Sequence, residues 1–206
     1  MEHPLKFFAK EQIGLPNASN KRLFFFAGEP SGDVHGASLI EALLKKDPTL
    51  QIYAVAGPKM RTYPIHCIEE MERFKVMGFT DVVSSLPKLT SLFFSLRKTI
   101  LQLAPTAVIT IDYPGFCLRL QSALHRKKYP GKQIHYICPT VWAWGKARIQ
   151  KMANTLDLGL CILPFEPSHF ASTTLAMEYV GHPLTKGDGT CYKPPFSNPL
   201  WLFPNR

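Results

Sequence analysis

Short, nearly continuous apolar runs recur along this chain, and they constrain its fold more than any other feature of the sequence. In chain order the runs are Leu23–Ala27, Gln51–Gly57, Ile65–Ile68, Thr106–Asp112, Lys132–Cys138, Asp157–Leu163 and the weaker Met177–Gly181. A strand with one exposed face alternates apolar and polar residues, whereas a strand buried on both faces does not. The runs therefore predict the strands of a parallel sheet that is covered on both sides.

Between these runs lie segments in which apolar residues return every three or four positions, which is the repeat of one helix face. The predicted helices are approximately Asp33–Lys46, Lys88–Ala104, Leu118–Lys128, Gly145–Asn154 and Glu166–Thr173. Strands that alternate with helices in this way predict an α/β domain with a doubly wound, mainly parallel sheet of the Rossmann-like type. In such a sheet, ligands bind at the carboxyl ends of the strands, where the strand order reverses.

The α/β pattern covers residues 23–185 and leaves a segment without periodicity at each end. We expect residues 1–22 to form an irregular N-terminal extension. Residues 186–206 are rich in proline and glycine and are expected to form an irregular tail. With 206 residues, of which 46% are hydrophobic, the chain is long enough for one substantial core.

Lysine and arginine number 24 against 15 acidic residues, which gives a formal net charge of +9. This charge favours anionic partners such as nucleic acid, an anionic membrane or a phosphorylated substrate, although solvated helix faces explain the basic clusters equally well. The five cysteines are scattered and include no CxxC pair, which favours a reducing compartment over a disulfide framework or a zinc site. No apolar run approaches the roughly 20 residues that a membrane-spanning helix needs.

The first candidate site is the loop "GEPSGD" between the first predicted strand and the first predicted helix. Gly28 and Gly32 relax the backbone, and the N–H groups at the start of the helix can bind an anion or a hydroxyl. Ser31 or Asp33 can instead cap the helix, so a plain turn explains these two residues equally well. Glu29 has no evident capping role, and its carboxylate does not suit a phosphate cradle.

Two further candidate sites follow buried strands. Asp112 ends its strand, and a carboxylate in that position suits either a general base or an acceptor for the N–H groups of the next turn. After the next strand, Trp142 and Trp144 can present a ring to a sugar or pack into the core, which is the commoner use. Lys146 and Arg148 on the following helix can meet a phosphate. All of these candidates fall at the carboxyl ends of strands, where ligands gather.

Several familiar sites are missing from the sequence. It contains no GxxxxGK[ST] or GxGxxG phosphate loop, no GxSxG nucleophile elbow and no His, Cys and Asp set with metal-ligand spacing. The usual modes of ATP or NAD binding are therefore not predicted, and neither is a metal site.

Seven segments together resemble one known family. They read "AGEPSGDVHGASLIEAL", "VAGPKM", "KVMGFTDVV", "TIDYPGF", "HYICPTVWAWGKARI", "LPFE" and "YVGHPL", in this order. Their order and content are similar to the N-terminal half of the lipid-A-disaccharide synthases, inverting glycosyltransferases with two facing Rossmann-like domains, the GT-B arrangement. The resemblance implies transfer of 2,3-diacylglucosamine from UDP-2,3-diacylglucosamine to 2,3-diacylglucosamine 1-phosphate, in the lipid A synthesis of Gram-negative bacteria. No metal or other cofactor is expected.

The resemblance also implies roles for individual residues. Glu29 and Ser31 match loop residues that are important for activity, and Asp112 matches the acidic residue thought to deprotonate the acceptor hydroxyl. Met77, in "VMG", matches an apolar patch that receives acyl chains or touches the membrane. The other candidates for substrate binding are Gly28, Gly32, Trp142, Trp144, Lys146 and Arg148. The expected location is cytoplasmic and peripheral, on the anionic inner face of the inner membrane, and nucleic acid is not an expected partner.

Two departures from the family's pattern bear on function. The family commonly has Asp and Asn where this chain has Gly115 and Cys117, which puts some polar contacts with the acceptor in question. The family's second domain supplies most of the UDP site and follows "GHPL", but residues 186–206 do not resemble it. We therefore expect this piece to be inactive alone.

Three other functions stay open at this point. They are another sugar-nucleotide enzyme such as a 2-epimerase, a catalytically inactive membrane-binding or lipid-binding module, and a basic nucleic-acid binder. The segments "VWAWGKAR" and "VMG" favour the synthase over the epimerase. The nucleic-acid binder has only the charge in its favour.

Overall fold

A computed structural model of the chain describes residues 21–74, 79–139 and 146–181. The strands are β1 (Arg22–Ala27), β2 (Gln51–Ala56), β3 (His66–Glu70), β4 (Ala107–Ile111), β5 (Lys132–Tyr136), β6 (Leu158–Cys161) and β7 (Ala176–Tyr179). They form one sheet in the order β3-β2-β1-β4-β5-β6-β7, and every neighbouring pair is parallel. Each predicted strand is confirmed, and its ends differ from the prediction by no more than two residues.

The helices of the described residues alternate with these strands. They are α1 (Pro30–Lys46), α2 (Phe79–Leu103), α3 (Pro114–Arg126) and α4 (Lys146–Ala153), with short 3-10 helices at Met60–Thr62, Met71–Phe74 and Glu166–Phe170. The predicted doubly wound, Rossmann-like α/β fold is therefore confirmed. Within the described ranges, no helix combines the length and the apolar character that crossing a membrane requires.

Four helix predictions are wrong in part, three of them because the role of a proline was misread. Helix α1 begins at Pro30, inside the predicted loop "GEPSGD", and not at Asp33. Helix α2 begins at Phe79 and not at Lys88, since Pro87 lies inside the helix, which continues around it at the loss of one backbone hydrogen bond. Helix α3 begins at Pro114, a residue that fits the first helical position because its fixed φ suits the helix. The last predicted α-helix is only the 3-10 helix that ends at Phe170.

Helices cover both faces of the sheet, so β1 is buried on both sides. Phe25 belongs to the core that α1 covers, whereas Phe24 and Phe26 belong to the core that α2 and α3 cover. All three rings are fully buried. This double burial explains why the run shows no alternation of polar residues.

The Asp33 side chain joins α1 to the turn after β2 and does not cap the helix. Its carboxylate accepts the backbone N–H groups of residues 57, 59 and 60 at 2.8–3.0 Å, and the residue is only 2% exposed. Ser31 does not cap α1 either, because Glu29 occupies the N-cap position and makes no side-chain capping bond. A Cβ atom at Gly57 would lie 2.5 Å from the Asp33 carboxylate, so this turn requires glycine.

Candidate functional site

The strand order reverses between β1 and β4. From β1 the chain continues to β2 and β3 on one side of the sheet, and from β4 it continues to β5, β6 and β7 on the other. The register pairs Ala27, the last residue of β1, with Ile111, the last residue of β4. The loops that begin at Gly28 and Asp112 therefore leave the sheet side by side, where ligands bind in sheets of this type. We call this place the crevice.

The crevice brings three predicted site residues together. The Ser31 hydroxyl donates a long hydrogen bond to Oδ2 of Asp112, at 3.5 Å. The pKa of the Glu29 carboxyl is raised, first by burial and second by the negative charge of Asp112. The two acidic side chains are therefore close enough to repel each other. The catalytic roles of Glu29, Ser31 and Asp112 stay predictions.

The backbone has an uncommon conformation where the second loop begins. Asp112 and Tyr113 both have a φ of 50°, in the left-handed region that residues other than glycine seldom adopt. The N–H of Asp112 donates to the carbonyl oxygen of Tyr136, at the end of β5, at 2.9 Å. One signal in the sequence is Pro114, because a residue before proline avoids the right-handed helical region. Strained backbone of this kind is concentrated at functional sites.

Gly28 allows the first loop to pack closely against the second, and Gly32 allows the first turn of α1 to pack closely against the end of β4. A Cβ atom at Gly28 would lie 2.7 Å from Cδ1 of Tyr113, and one at Gly32 would lie 3.3 Å from the carbonyl oxygen of Ile111. Packing therefore explains both glycines. Their predicted part in substrate binding stays a prediction.

The remaining predicted site residues lie mostly beyond the described part of the chain. Met77, Trp142 and Trp144 are outside the described residues. Lys146 is the first residue of α4, and its side chain is also outside them. Arg148 lies on α4 with an exposed side chain. In the part of the chain that is described, no three His, Cys, Asp or Glu side chains are grouped as a metal site would need.

The two departures from the family's pattern lie in the first turn of α3 and differ in exposure. Gly115 is exposed, and a Cβ atom there would meet nothing within 4 Å. Cys117 is fully buried, and burial raises the pKa of its thiol well above the usual range. A side chain at position 115 would therefore face open space, whereas position 117 supports the crevice from beneath.

A buried polar group beneath the crevice was not predicted. Gln121 on α3 donates to Oγ1 of Thr110 on β4 at 2.7 Å, and that oxygen lies 2.7 Å from Nδ1 of His135 on β5. All three side chains are at most 1% exposed. Burial lowers the pKa of His135 to about 4, so the ring is neutral at pH 7. The signal that could have revealed this group is the presence of polar residues inside two apolar runs.

Comparison with known proteins decides the family. A family model described as lipid-A-disaccharide synthetase matches residues 23–191. The chain belongs to the lipid-A-disaccharide synthetase family. The predicted family, one of glycosyltransferases, is thereby confirmed.

Curated lipid-A-disaccharide synthases share more than a third of their aligned residues with this member of the family. The synthase of Chlamydia pneumoniae is 41% identical over 182 residues, which are 88% of this chain and 30% of that protein. Those of Saccharophagus degradans and Rhodospirillum centenum are 39% and 37% identical, over 81% and 83% of this chain and 42% and 44% of those proteins. The chain therefore spans less than half the length of these relatives.

Solved structures support the fold of this lipid-A-disaccharide synthetase family member. The UDP-GlcNAc 2-epimerase of Neisseria meningitidis bound to UDP-GlcNAc has a TM-score of 0.52 and 13% identity, over 79% of this chain and 46% of that chain. A crystal structure from Listeria monocytogenes, of a protein described as a UDP-N-acetylglucosamine 2-epimerase, has a TM-score of 0.52 and 10% identity, over 74% of this chain and 41% of that chain. At these identities the likeness concerns the fold alone.

Proposed function

We propose that this chain forms the acceptor-side domain of a lipid A disaccharide synthase. The whole enzyme transfers 2,3-diacylglucosamine from UDP-2,3-diacylglucosamine to 2,3-diacylglucosamine 1-phosphate with inversion. The observation that carries the proposal is the meeting of Glu29, Ser31 and Asp112 where the strand order reverses, in a chain of this family.

The chemistry proposed for the crevice is a single displacement. The Asp112 carboxylate accepts the proton of the acceptor hydroxyl while the hydroxyl oxygen forms a bond to the anomeric carbon of the UDP-linked sugar. The bond from that carbon to UDP breaks on the opposite face, and UDP leaves with the electron pair. Ser31, which donates to Asp112, orients the carboxylate, and Glu29 binds a sugar hydroxyl. General-base catalysis of this kind contributes about 10²–10⁴-fold.

The UDP site is proposed to lie in a second Rossmann-like domain that faces the crevice. The support is that the chain spans only 30% to 44% of the length of its relatives. Residues 23–185 then form the acceptor-side domain. The segments at 1–22 and 186–206, predicted to be irregular, lie outside the described residues except for Lys21 and Arg22, and Arg22 begins β1. The predicted substrate-binding residues Trp142, Trp144, Lys146 and Arg148 belong to this domain.

A chimaera tests the proposed function. Residues 1–185 of this chain replace the corresponding part of the Chlamydia pneumoniae relative, and formation of the disaccharide is measured. We expect an active chimaera in which Asp112→Asn lowers kcat by about 100-fold or more. Glu178→Gln, which removes an exposed carboxylate on β7, is the matched control and should leave kcat unchanged. Near-normal turnover by Asp112→Asn would remove Asp112 as the base.

We also propose that the domain lies at the anionic cytoplasmic face of the inner membrane, which it contacts through α2 and α3. Among residues 88–131 the acidic residues amount to Asp112 alone. The basic residues of this stretch are Lys88, Arg97, Lys98, Arg119, Arg126, Lys127 and Lys128.

Phe94 on α2 is 51% exposed, and the Arg97 guanidinium lies 5.0 Å from its ring centroid. Basic charge beside an exposed aromatic ring suits an anionic lipid surface. Met77, two residues before α2, is proposed to add to this contact.

Vesicle flotation tests the membrane proposal. The chain should float with vesicles that contain anionic phosphatidylglycerol and not with neutral phosphatidylcholine vesicles. Replacement of Arg126, Lys127 and Lys128 by glutamine should weaken flotation, whereas replacement of Lys45 and Lys46 on α1, across the sheet, should not. Binding to duplex DNA with a steep salt dependence, without flotation, would favour the nucleic-acid binder instead.

A further inference from the structure

Tyr113 is the residue at which separate parts of the crevice meet. Its ring stacks with that of Phe26 on β1, at 6.3 Å between centroids, and packs beside that of Phe116 on α3, at 6.2 Å. Its hydroxyl donates to the carbonyl oxygen of Phe74, at 3.3 Å. One side chain therefore joins β1, α3 and the 3-10 helix Met71–Phe74.

The same ring lies against the turn that carries Glu29. A Cβ atom at Gly28 would be 2.7 Å from Cδ1 and 3.0 Å from Cγ of Tyr113, so the ring occupies the space beside the Gly28 backbone. Burial raises the pKa of the Tyr113 phenol, and the charge of Glu29 raises it further. The ring therefore lies beside the turn that carries Glu29 and limits where this turn can lie.

The backbone of Tyr113 does not favour a tyrosine. A φ of 50° is a left-handed conformation that is strained for a residue with a Cβ atom. Glycine or asparagine would adopt it more readily. The contacts of the ring and the hydroxyl are what a tyrosine adds at this position.

We propose that Tyr113 is a positioning residue of the crevice. It holds the Gly28–Glu29 turn against Asp112, and it ties both to the 3-10 helix that leads into the "KVMG" segment. It acts through Glu29 and Asp112 and not on the substrate. This role rests on the proposed function, because Glu29 and Asp112 are the residues that Tyr113 positions. The contacts of Tyr113 do not depend on that function.

Carbon-13 NMR of the 206-residue chain tests the proposal without any measurement of activity. Glutamate carboxyl carbons are labelled, Glu29 is assigned with Glu29→Gln, and its pKa is followed in variants. Tyr113→Asn removes the ring but accepts the left-handed backbone, and we expect the pKa of Glu29 to fall toward its ordinary value. Tyr113→Phe keeps the ring and should leave that pKa raised.

Phe116→Ala is the matched control, because Phe116 belongs to the same aromatic cluster, whereas the three atoms nearest to a Cβ at Gly28 belong to Tyr113 and Phe26. It should destabilise the fold and leave the pKa of Glu29 raised. An unchanged pKa in Tyr113→Asn, or an equal fall in Phe116→Ala, would overturn the proposal. If Tyr113→Asn does not fold, Gly28→Ala decides, since its Cβ displaces the ring and should lower the same pKa.

The chimaera supplies a second measurement. Tyr113→Asn should lower kcat on the order of tenfold to a hundredfold with little change in KM, and Tyr113→Phe should restore most of it. If kcat falls but the pKa of Glu29 does not, Tyr113 does not act through this turn and the proposal is overturned. If Tyr113→Asn lowers the pKa of Glu29 but the chimaera is inactive, the positioning is supported and the proposed function is contradicted.

Discussion

At the scale of single residues, Asp33 shows that a carboxylate beside a candidate site can have a structural task. It is buried and accepts three backbone N–H groups from the turn after β2. Asp33→Asn replaces one acceptor oxygen by a donor that faces other donors, and we expect it to lower the free energy of unfolding by about 3 kcal/mol. Urea unfolding measures this loss. Glu178→Gln should change that free energy by about 0.5 kcal/mol or less. If Asp33→Asn lowers it no more than Glu178→Gln does, the structural role of Asp33 is contradicted.

His135 is a residue whose burial predicts a dependence of stability on pH. Its pKa is lowered to about 4, whereas an unfolded histidine titrates near 6.5. Between these values the unfolded chain binds a proton that the folded chain does not, so the free energy of unfolding falls as the pH drops from about 6.5 to about 4. The full loss is about 3 kcal/mol. Above about pH 6.5 this contribution to stability is complete.

The variant His135→Gln isolates that contribution. Unfolding by urea at pH 7 and at pH 4.5 should show a smaller difference between the two pH values in the variant than in the natural chain. Other titrating side chains, such as Glu166, whose pKa is raised by burial, are present in both proteins. Their contributions to the pH dependence therefore cancel in the comparison. An identical pH dependence in the two proteins would contradict the prediction.

Residues differ in how far their roles can be predicted from the sequence. Glu29 and Asp112 could be located because each follows an apolar run whose carboxyl end must lie at the edge of a parallel sheet. The roles of Asp33 and Tyr113 could not be predicted. Asp33 contacts Gly57 and Tyr113 contacts Phe74, and each partner lies far away along the chain. No local pattern records such contacts.

At the scale of elements, α2 has a buried face that packs in the core and an exposed face that is proposed to contact the membrane. Leu96 is 3% exposed in the core against the sheet, whereas Phe94 is 51% exposed. Leu96→Ala should lower the free energy of unfolding by about 3 kcal/mol, because it leaves a cavity. Phe94→Ser should change it by about 0.5 kcal/mol or less and should weaken flotation with anionic vesicles. Equal losses of stability, measured in urea, would contradict this division.

The strands were easier to predict than the helix limits for a physical reason. A strand buried on both faces must be apolar along its whole length, so β1, β4 and β6 appear as runs with definite ends. A helix limit depends on a few residues, and proline has more than one meaning there. Pro87 lies inside α2, whereas Pro114 begins α3.

At the scale of the whole molecule, the described domain holds one side of the proposed reaction. If the UDP site lies in a second domain, the 206-residue chain should form no disaccharide above the uncatalysed rate and should still unfold cooperatively in urea. Product analysis with both substrates measures this. Turnover by the chain alone would show that the acceptor-side domain also binds and activates the UDP-sugar.

The two loops of the crevice share one further property. Each enters its helix at a proline, Pro30 for α1 and Pro114 for α3. Glu29 stands directly before Pro30, and Asp112 is separated from Pro114 by Tyr113 alone. A proline fixes its own φ and narrows the choices of the residue before it. The loops therefore lose little conformational entropy if the proposed sugar substrate binds there, and more of the contact energy remains for affinity and orientation.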